Sequence, residues 1–347
     1  MNESDGGVPA KIPATARRPA ATIYDIATLA GVNPSTVSRA LSTPGRISAK
    51  TEEKIHAAAK ELNYRVNPAA RALLTGRTRT IGLIVADITN PVFFDIVRGA
   101  EREAAKHDYT LVLAEFRESA EMEMFTAQRL MPSVDGLILA TSRLHPDEIR
   151  RLAEEKPIVV INREVDHITS IVADVDSGVE EAVAHLAALG HRRIAYVAGP
   201  GRSWVSHKRW SSIQDFAARA GIDAVELSSE QPVMEAGRAI VDEVVASGAT
   251  AVMAYNDLLA IGLMQGLIGR SVDVPGEISI IGFDNIFGAD FTTPGLTSVG
   301  APHTEAGMYA ARGVLAILDG AAPAATPRPE LATSLIVRGS TAQARAR

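Results

Sequence analysis

The chain has 347 residues, room for two or three domains, and its 46% hydrophobic content supports buried cores. It contains no cysteine, which excludes disulfides, thiolate catalysis and cysteine-bound zinc, and its eight histidines are scattered without His-Glu-x-x-His or any other tight metal spacing. The net charge of −6 conceals an asymmetry: residues 1–80 carry 12 Lys/Arg against 6 Asp/Glu and residues 81–347 carry 23 against 35, so a basic head suited to phosphates precedes an acidic body.

Residues 1–21, rich in Ala, Pro and Gly with Lys11, Arg17 and Arg18, read as a flexible tail. They lack the apolar stretch of a signal peptide, and no run of about 18 apolar residues follows, so a soluble cytoplasmic protein with no membrane partner is expected. Thr22 and Asp25 form a capping pair for a first helix carrying Ile23, Ile26, Ala27 and Ala30, which stops at Gly31. Asn33 as a cap and Pro34 at the first helical position start a second helix. Val37, Ala40 and Leu41 make its apolar side, leaving Ser35, Thr36, Ser38 and Arg39 on the other surface. Two short helices joined by a glycine turn, the second bearing hydroxyls and an arginine, suit a helix-turn-helix that reads the DNA major groove. The plainer alternative is a small helical subdomain without a ligand.

After a turn at Ser42-Thr-Pro-Gly45, Ser48 is expected to cap a third helix with Glu52 and Glu53 in its first turn and Ile55, Ala58, Ala59 and Leu62 facing the other two. It ends near Asn63-Tyr64. Residues 67–76 carry another cap, proline and short helical run ended by glycine, too short to be stable alone and suited to a linker helix that forms on binding.

From Thr80 the pattern changes. Buried-strand runs at 81–86, 111–114, 136–140, 158–161, 194–197, 251–254 and 278–281 alternate mostly with helical segments, which predicts doubly wound parallel α/β units, in number enough for two sheets. Ligands in such folds sit beyond the carboxyl ends of strands. Asp87 and Asn90, Asn162 and Arg163, Asn256 and Asp257, and Asp284 follow four of the runs and are site candidates, with turn formation or helix capping as the alternative for each Asn and Asp.

Read in order, the chain resembles the lactose/galactose-repressor family of bacterial transcription regulators over residues 22 to about 340. The resemblance is carried by Tyr24-Asp-Ile-Ala27, Ala30-Gly-Val-Asn-Pro-Ser-Thr-Val-Ser-Arg39, Ile47-Ser-Ala-Lys-Thr51, Glu61-Leu-Asn-Tyr64 and Asn67-Pro-Ala-Ala-Arg-Ala-Leu73. It continues through Ile81-Gly-Leu-Ile-Val85, Asn90-Pro-Val-Phe-Phe94, Leu189-Gly-His-Arg-Arg-Ile-Ala195, Asn256-Asp-Leu-Leu-Ala-Ile-Gly262 and Ile281-Gly-Phe-Asp284. It implies a helix-turn-helix headpiece at 22–66, a hinge helix and linker at 67–79, and at 80–347 a sensor of two doubly wound parallel-sheet lobes, shaped like a periplasmic binding protein. It also implies a homodimer on double-stranded, pseudo-palindromic operator DNA and control by a small sugar-like effector, with no cofactor, no metal and no catalysis.

By the same resemblance Pro34, Ser35 and Arg39 take base-reading positions, and Tyr24, Asn33, Thr36, Ser38 and Arg46 lie near phosphates or flanking bases. Pro34 offers only apolar contact. In the hinge, Ala70 and Leu73 meet DNA, Leu73 as a wedge in the minor groove unless it packs on Leu74. The effector set is Asp87, Asn90, Phe93, Asn162, Arg209, Asp257 and Asp284. Ser212 departs from the family, which commonly has glycine three residues after the arginine, and is expected to narrow the packing there. Trp204 and Trp210, the only tryptophans, either line the pocket or fill a core. A solute receptor that only resembles the sensor is the competing reading, against which the basic helix-turn-helix head argues. An enzyme has no support from any Walker loop, Gly-x-Gly-x-x-Gly, Gly-x-Ser-x-Gly or metal spacing.

Overall fold

The computed structural model describes residues 21–42, 45–64, 72, 75–323 and 330–345. Two compact units divide after Gly76. In the first, α1 (Ile23–Ala30), α2 (Pro34–Ser42) and α3 (Ala49–Glu61) pack around Ile26, Ala27, Val37, Ala40, Ile55 and Ala58. The Thr22/Asp25 pair forms as expected: Asp25 Oδ2 accepts the Thr22 N–H at 2.7 Å and its hydroxyl at 2.8 Å, while Thr22 Oγ1 accepts the Asp25 N–H. Gly31 ends α1 at φ 66°, where a Cβ would be strained. Ser48 precedes α3 as expected, but its hydroxyl pairs with Thr51 Oγ1 at 2.8 Å and makes no side-chain cap.

The second unit contains two sheets. β1 (Thr80–Val85), β2 (Thr110–Glu115), β3 (Gly136–Ala140), β4 (Ile158–Ile161) and β5 (Thr169–Ile171) form a parallel sheet in the order β2-β1-β3-β4-β5. Its connecting helices are α4 (Val92–Ala105), α5 (Ala120–Leu130) and α6 (Pro146–Glu155). The second sheet comprises β6 (Arg193–Val197), β7 (Asp223–Leu227), β8 (Ala251–Ala254), β9 (Ser279–Asp284), β10 (Thr297–Gly300) and β11 (Ser334–Ile336), ordered β11-β10-β9-β8-β6-β7 with only the β10–β11 pair antiparallel. α7 (Val175–Ala188), α8 (Trp204–Ala220), α9 (Met234–Ala239), α10 (Val241–Ala246) and α11 (Asp257–Gly269) belong to this lobe, and α12 (His303–Leu318) returns to pack on the first. Two connectors between the lobes run side by side, with Asp174 N–H donating to Leu331 O at 2.8 Å.

Strands buried along their whole length, such as β3 and β4, need helices on both faces, and each lobe supplies them. The closest helix contacts are made at glycine. A Cβ on Gly99 of α4 would lie 1.9 Å from Thr304 O of α12, and one on Gly262 of α11 would lie 2.0 Å from Met234 O of α9. Backbone therefore touches backbone at one helix pair in each lobe. Among the described residues, no helix is long and apolar enough to cross a membrane.

Gly99→Ala is predicted to cost about 1–3 kcal/mol by forcing α4 off α12. Gly269→Ala, with nothing within 4 Å of the added methyl, should stay within about 0.5 kcal/mol. Denaturant midpoints compare the two, and equal losses would remove the close contact as the cause.

Candidate functional site

Two surfaces carry candidate chemistry. On the first unit, burial of Val37 and Ala40 turns the opposite side of α2 outward, so Ser35 and Arg39 are exposed and Pro34, Thr36 and Ser38 are half-buried at its flanks. Tyr24 on α1 is 67% exposed, and Asn33 and Arg46 are exposed in the adjoining turns. The Asn33 carbonyl accepts the N–H groups of Thr36 and Val37 and fixes the start of α2. The expected hinge contacts, Ala70 and Leu73, lie outside the described residues.

The second surface is the cleft between the lobes, where carboxyl ends of both sheets converge. Arg209 on α8 is its centre. The residue is 8% exposed, and its guanidinium pairs with Asp284 Oδ1 at 3.0 Å, donates to the Tyr255 carbonyl and stacks over Phe283 at 4.3 Å and Tyr255 at 5.4 Å. Burial works against its charge, and the Asp284 carboxylate beside it, with Tyr196 and Tyr255, more than offsets that and raises its pKa. Gly199 lets the Tyr255 ring lie flat against the main chain, since a Cβ there would approach the ring to 2.6 Å. The Tyr255 hydroxyl meets Ser203 Oγ at 3.2 Å, and the ring is close enough to Arg143 of the other lobe to help raise that arginine's pKa. Arg143 in turn is 3% exposed, held by Glu118 at 2.7 Å and by the Thr141 carbonyl.

The loops that aim these groups are strained. Among the described residues, eleven non-glycine residues have positive φ, and six of them, Arg117, Glu118, Thr141, Asn162, Asp284 and Asn285, end or follow strands at this cleft, which is where stored backbone strain is expected to mark function. Glu123 Oε1, Thr141 Oγ1, Arg163 Nε, Arg209 Nε and His303 Nε2 are buried here without a hydrogen-bond partner, each a polar atom that a ligand or a small lobe movement could satisfy. His303 opens α12. Burial pushes its pKa down, so it is neutral at pH 7.

The expected effector residues do not all converge. Arg209 and Asp284 form the central pair. Asp87 lines a cavity of about 440 Å³ at the cleft mouth, with Oδ1 accepting the Thr89 N–H at 2.8 Å and its hydroxyl at 2.7 Å. Asn90 and Asn162 are half-buried in the loops after β1 and β4; Asn90 Oδ1 accepts the Val92 N–H and the Asn162 N–H donates to Ile171 O. Phe93, 4% exposed, is packed into the lobe core from α4. Asp257 is corrected to a scaffold role. It is 0% exposed, accepts the Ser298 hydroxyl at 2.6 Å and the Ile286 N–H at 2.8 Å, and is pushed toward its neutral form by burial and by Asp284. It therefore pins the segment after β9 from behind and does not face the cleft as expected.

Ser212 does not simply narrow the helix packing: its hydroxyl donates to Asp176, which also receives Lys208 Nζ at 2.7 Å, tying α8 to α7. Trp210 fills the core by stacking on Tyr196 at 5.9 Å, whereas Trp204 lines a separate cavity of about 660 Å³ beside the lobe connectors. Arg143, Tyr255 and His303 are not among the residues expected from the sequence, where the candidates were Asn, Asp and Arg163 directly after predicted strands. Tyr255 directly follows β8, so position alone could have found it.

A small helical head that turns an arginine and hydroxyls outward, followed by a two-lobed sensor whose cleft holds a buried ion pair, defines a ligand-controlled DNA-binding regulator. Residues 22–67 match the model of bacterial regulatory proteins of the lacI family, and residues 183–341 match the periplasmic binding protein-like domain. The transcriptional repressor CytR of Escherichia coli (strain K12) is 32% identical over 330 residues, covering 93% of this chain and 96% of that protein. The regulator AscG of the same strain is 34% identical over 310 residues, 86% and 92% of the two chains. The lac repressor dimer bound to operator and the anti-inducer ONPF superposes with a TM-score of 0.83 at 26% identity, over 93% of this chain and 99% of that one. The regulator CelR in complex with cellobiose gives 0.67 at 27% identity, over 92% and 99%. The chain belongs to the LacI family of bacterial transcription regulators, a family of DNA-binding proteins and not of enzymes.

Burial holds the pKa values of His185, His191 and His303 below the ordinary histidine value, so the unfolded chain binds these protons first. Stability is predicted to be full above about pH 6.5 and to fall as pH drops through that value. His303→Gln, which cannot charge, should lose less stability than the parent between pH 7.5 and 5.5 in denaturant titrations. An equal loss would remove His303 from this effect.

Proposed function

We propose that two copies of this chain bind a pseudo-palindromic operator, each placing α2 in the major groove, and that a small sugar-like effector in the cleft controls that binding. The observation that carries this reading is the pairing of an outward Arg39 on a rigid α2 with a cleft built on the buried Arg209–Asp284 bridge. Arg39 and Ser35 read base edges with Pro34 in apolar contact, while Tyr24, Asn33, Thr36, Ser38 and Arg46 position the head on phosphates and flanking bases. Ala70 and Leu73 are assigned to hinge contacts in the minor groove. Arg209, Asp284, Asp87, Asn90 and Asn162 receive the effector, whose hydroxyls suit carboxylate, amide and guanidinium partners. Phe93 supports the wall from the core.

The homodimer is supported by an aromatic seam on the sensor. Phe94 of α4 stacks with Phe287 beyond β9 at 6.4 Å, Phe287 meets Phe291 edge-on at 5.6 Å, and the three are 47%, 62% and 77% exposed. A contiguous aromatic patch of this kind is covered in a working assembly, and a second copy of the chain covers it in our reading. Phe291→Asp is predicted to raise the dimer dissociation constant at least about tenfold, equivalent to 1.4 kcal/mol, measured by sedimentation. An unchanged constant would place the interface elsewhere.

The reading is tested by selecting duplexes that the full chain binds from a random pool, then measuring release or tightening with a panel of sugars. Arg39→Ala should lose about 1–3 kcal/mol of discrimination between the selected duplex and random DNA per half-site. Equal loss on both DNAs would make Arg39 a phosphate contact. Arg209→Gln should keep operator binding within about twofold and abolish the sugar response, since only differential binding to the lobe arrangements can shift the equilibrium. Failure to enrich any duplex would favour a solute receptor without a DNA role.

A further inference from the structure

Three consecutive residues where the sensor begins, Arg77, Thr78 and Arg79, are fastened to the first lobe by side chain and main chain together. Asp135, 5% exposed just before β3, accepts the Thr78 N–H at 2.7 Å and the Thr78 hydroxyl at 2.9 Å on Oδ1, and the Arg79 N–H at 3.0 Å on Oδ2. Arg77 donates to Leu318 O at 2.7 Å, at the carboxyl end of α12, and pairs with Asp319 at 3.4 Å. Arg79 donates to His107 O at 3.1 Å and lies over the Tyr109 ring at 5.3 Å. The chain is thus held on several sides before β1 starts at Thr80.

The chemistry of this clamp is strong for its size. Hydrogen bonds to an ionised acceptor outweigh neutral ones, and Asp135 accepts three of them from two adjacent residues. The Arg77 guanidinium meets the last carbonyls of α12, where the helix dipole favours a cation. Both anchors also belong to one packed body: a Cβ on Gly136, next to Asp135, would lie 2.6 Å from Val314 Cγ1 of α12, so helix and strand entry leave each other little room to shift separately. The elements that carry the anchors reach the cleft at their other ends, since β1 runs on to the Asp87 loop and α12 begins at His303. Gly76, immediately before the clamp, is left-handed at φ 68° and donates its N–H to Ala72 O at 2.8 Å. The chain passes from helical turn to clamp within one residue.

We infer that Asp135 is a positioning residue for operator binding: it makes residues 77–79 part of the first lobe, so that lobe, and not a slack tether, sets where the chain departs toward the DNA-binding head. This rests on the regulator reading above. In a dimer the second head meets its half-site as an intramolecular event, at an effective concentration fixed by tether length and stiffness. Releasing three residues lengthens and softens each tether, so specific affinity falls while the base-reading side chains of α2 are unchanged. Asp135 acts through Thr78 and Arg79, not on the DNA itself.

The test is binding of the full chain to the duplex it selects from a random pool, together with amide hydrogen exchange. In Asp135→Asn one acceptor oxygen becomes a donor, so the N–H of Thr78 or of Arg79 loses its partner. Exchange across Thr78 and Arg79 should rise at least about tenfold, with Ile81–Val85 within about twofold of the parent. Affinity for the selected duplex should fall about fivefold or more, and affinity for random duplex should stay within about twofold. Thr78→Val, which removes only the hydroxyl and serves if Asp135→Asn does not fold, should weaken selected-duplex binding about threefold, and Thr78→Ser should restore it. Val160→Ala, which loosens the same lobe from its core at a fully buried position, should bind both duplexes as the parent does. Selected-duplex affinity unchanged in both Asp135→Asn and Thr78→Val, an equal loss on both DNAs, or an equal loss in Val160→Ala would overturn this role of Asp135 while leaving the regulator reading intact. Failure to select any duplex would overturn the regulator reading and this inference with it.

Discussion

The sensor depends on keeping one guanidinium charged out of water. Desolvating Arg209 is costly unless its donors and its charge are met, and the fold meets them from the ends of two neighbouring strands: Asp284 and the Phe283 ring at the end of β9 and the Tyr255 carbonyl after β8. Those partners must hold their places for Arg209 to remain buried. The supporting residues follow from that requirement, with Gly199 bare beneath Tyr255 and Asp257 clamped behind the β9 exit. On the facing lobe Arg143 is treated the same way, enclosed by Glu118 and the Thr141 carbonyl. Each lobe thus presents one fixed, buried cation to the cleft, and Tyr255 stands between them.

Rigid lobes make such a cleft useful. Backbone-to-backbone contact at Gly99 and at Gly262 leaves little room for helices to slide within a lobe, so relative movement concentrates in the connectors around Asp174 and Leu331. A ligand that prefers one lobe angle then acts on an element with discrete arrangements and not on a soft one. Arg209 Nε and His303 Nε2, one on each lobe, are buried without a hydrogen-bond partner in this arrangement of the lobes.

How much of this was legible in the sequence depended on how local the determinants were. The first two head helices were, because Thr22 with Asp25, Gly31, and Asn33 with Pro34 fix their ends within a few residues, and the third was through the spacing of Ile55, Ala58, Ala59 and Leu62, although its expected Ser48 cap does not form. Fully buried strands such as β3 and β4 stood out as apolar runs. β5 and β11, each three residues long, gave no run to find; β7 is only partly buried, and β10 begins with two hydroxyl residues. In the cleft, Arg209 and Asp284 came through the family resemblance. Asp257 was misplaced because a carboxylate after a strand looks the same whether it faces the cleft or turns back to Ser298. Arg143 and His303 depend on contacts between distant loops, and nothing in their immediate neighbours announces a buried cation or a ring at a lobe boundary.

The exit of β9 ties inside to outside over very few bonds. Asp284 grips Arg209 in the cleft, Ile286 is fastened to Asp257 two residues later, and Phe287 emerges next onto the exposed aromatic seam against Phe94 of the other lobe. The clamp at Ile286 sits between these two contacts, so the grip on Arg209 and the outer aromatic seam are set only three residues apart on one fastened segment.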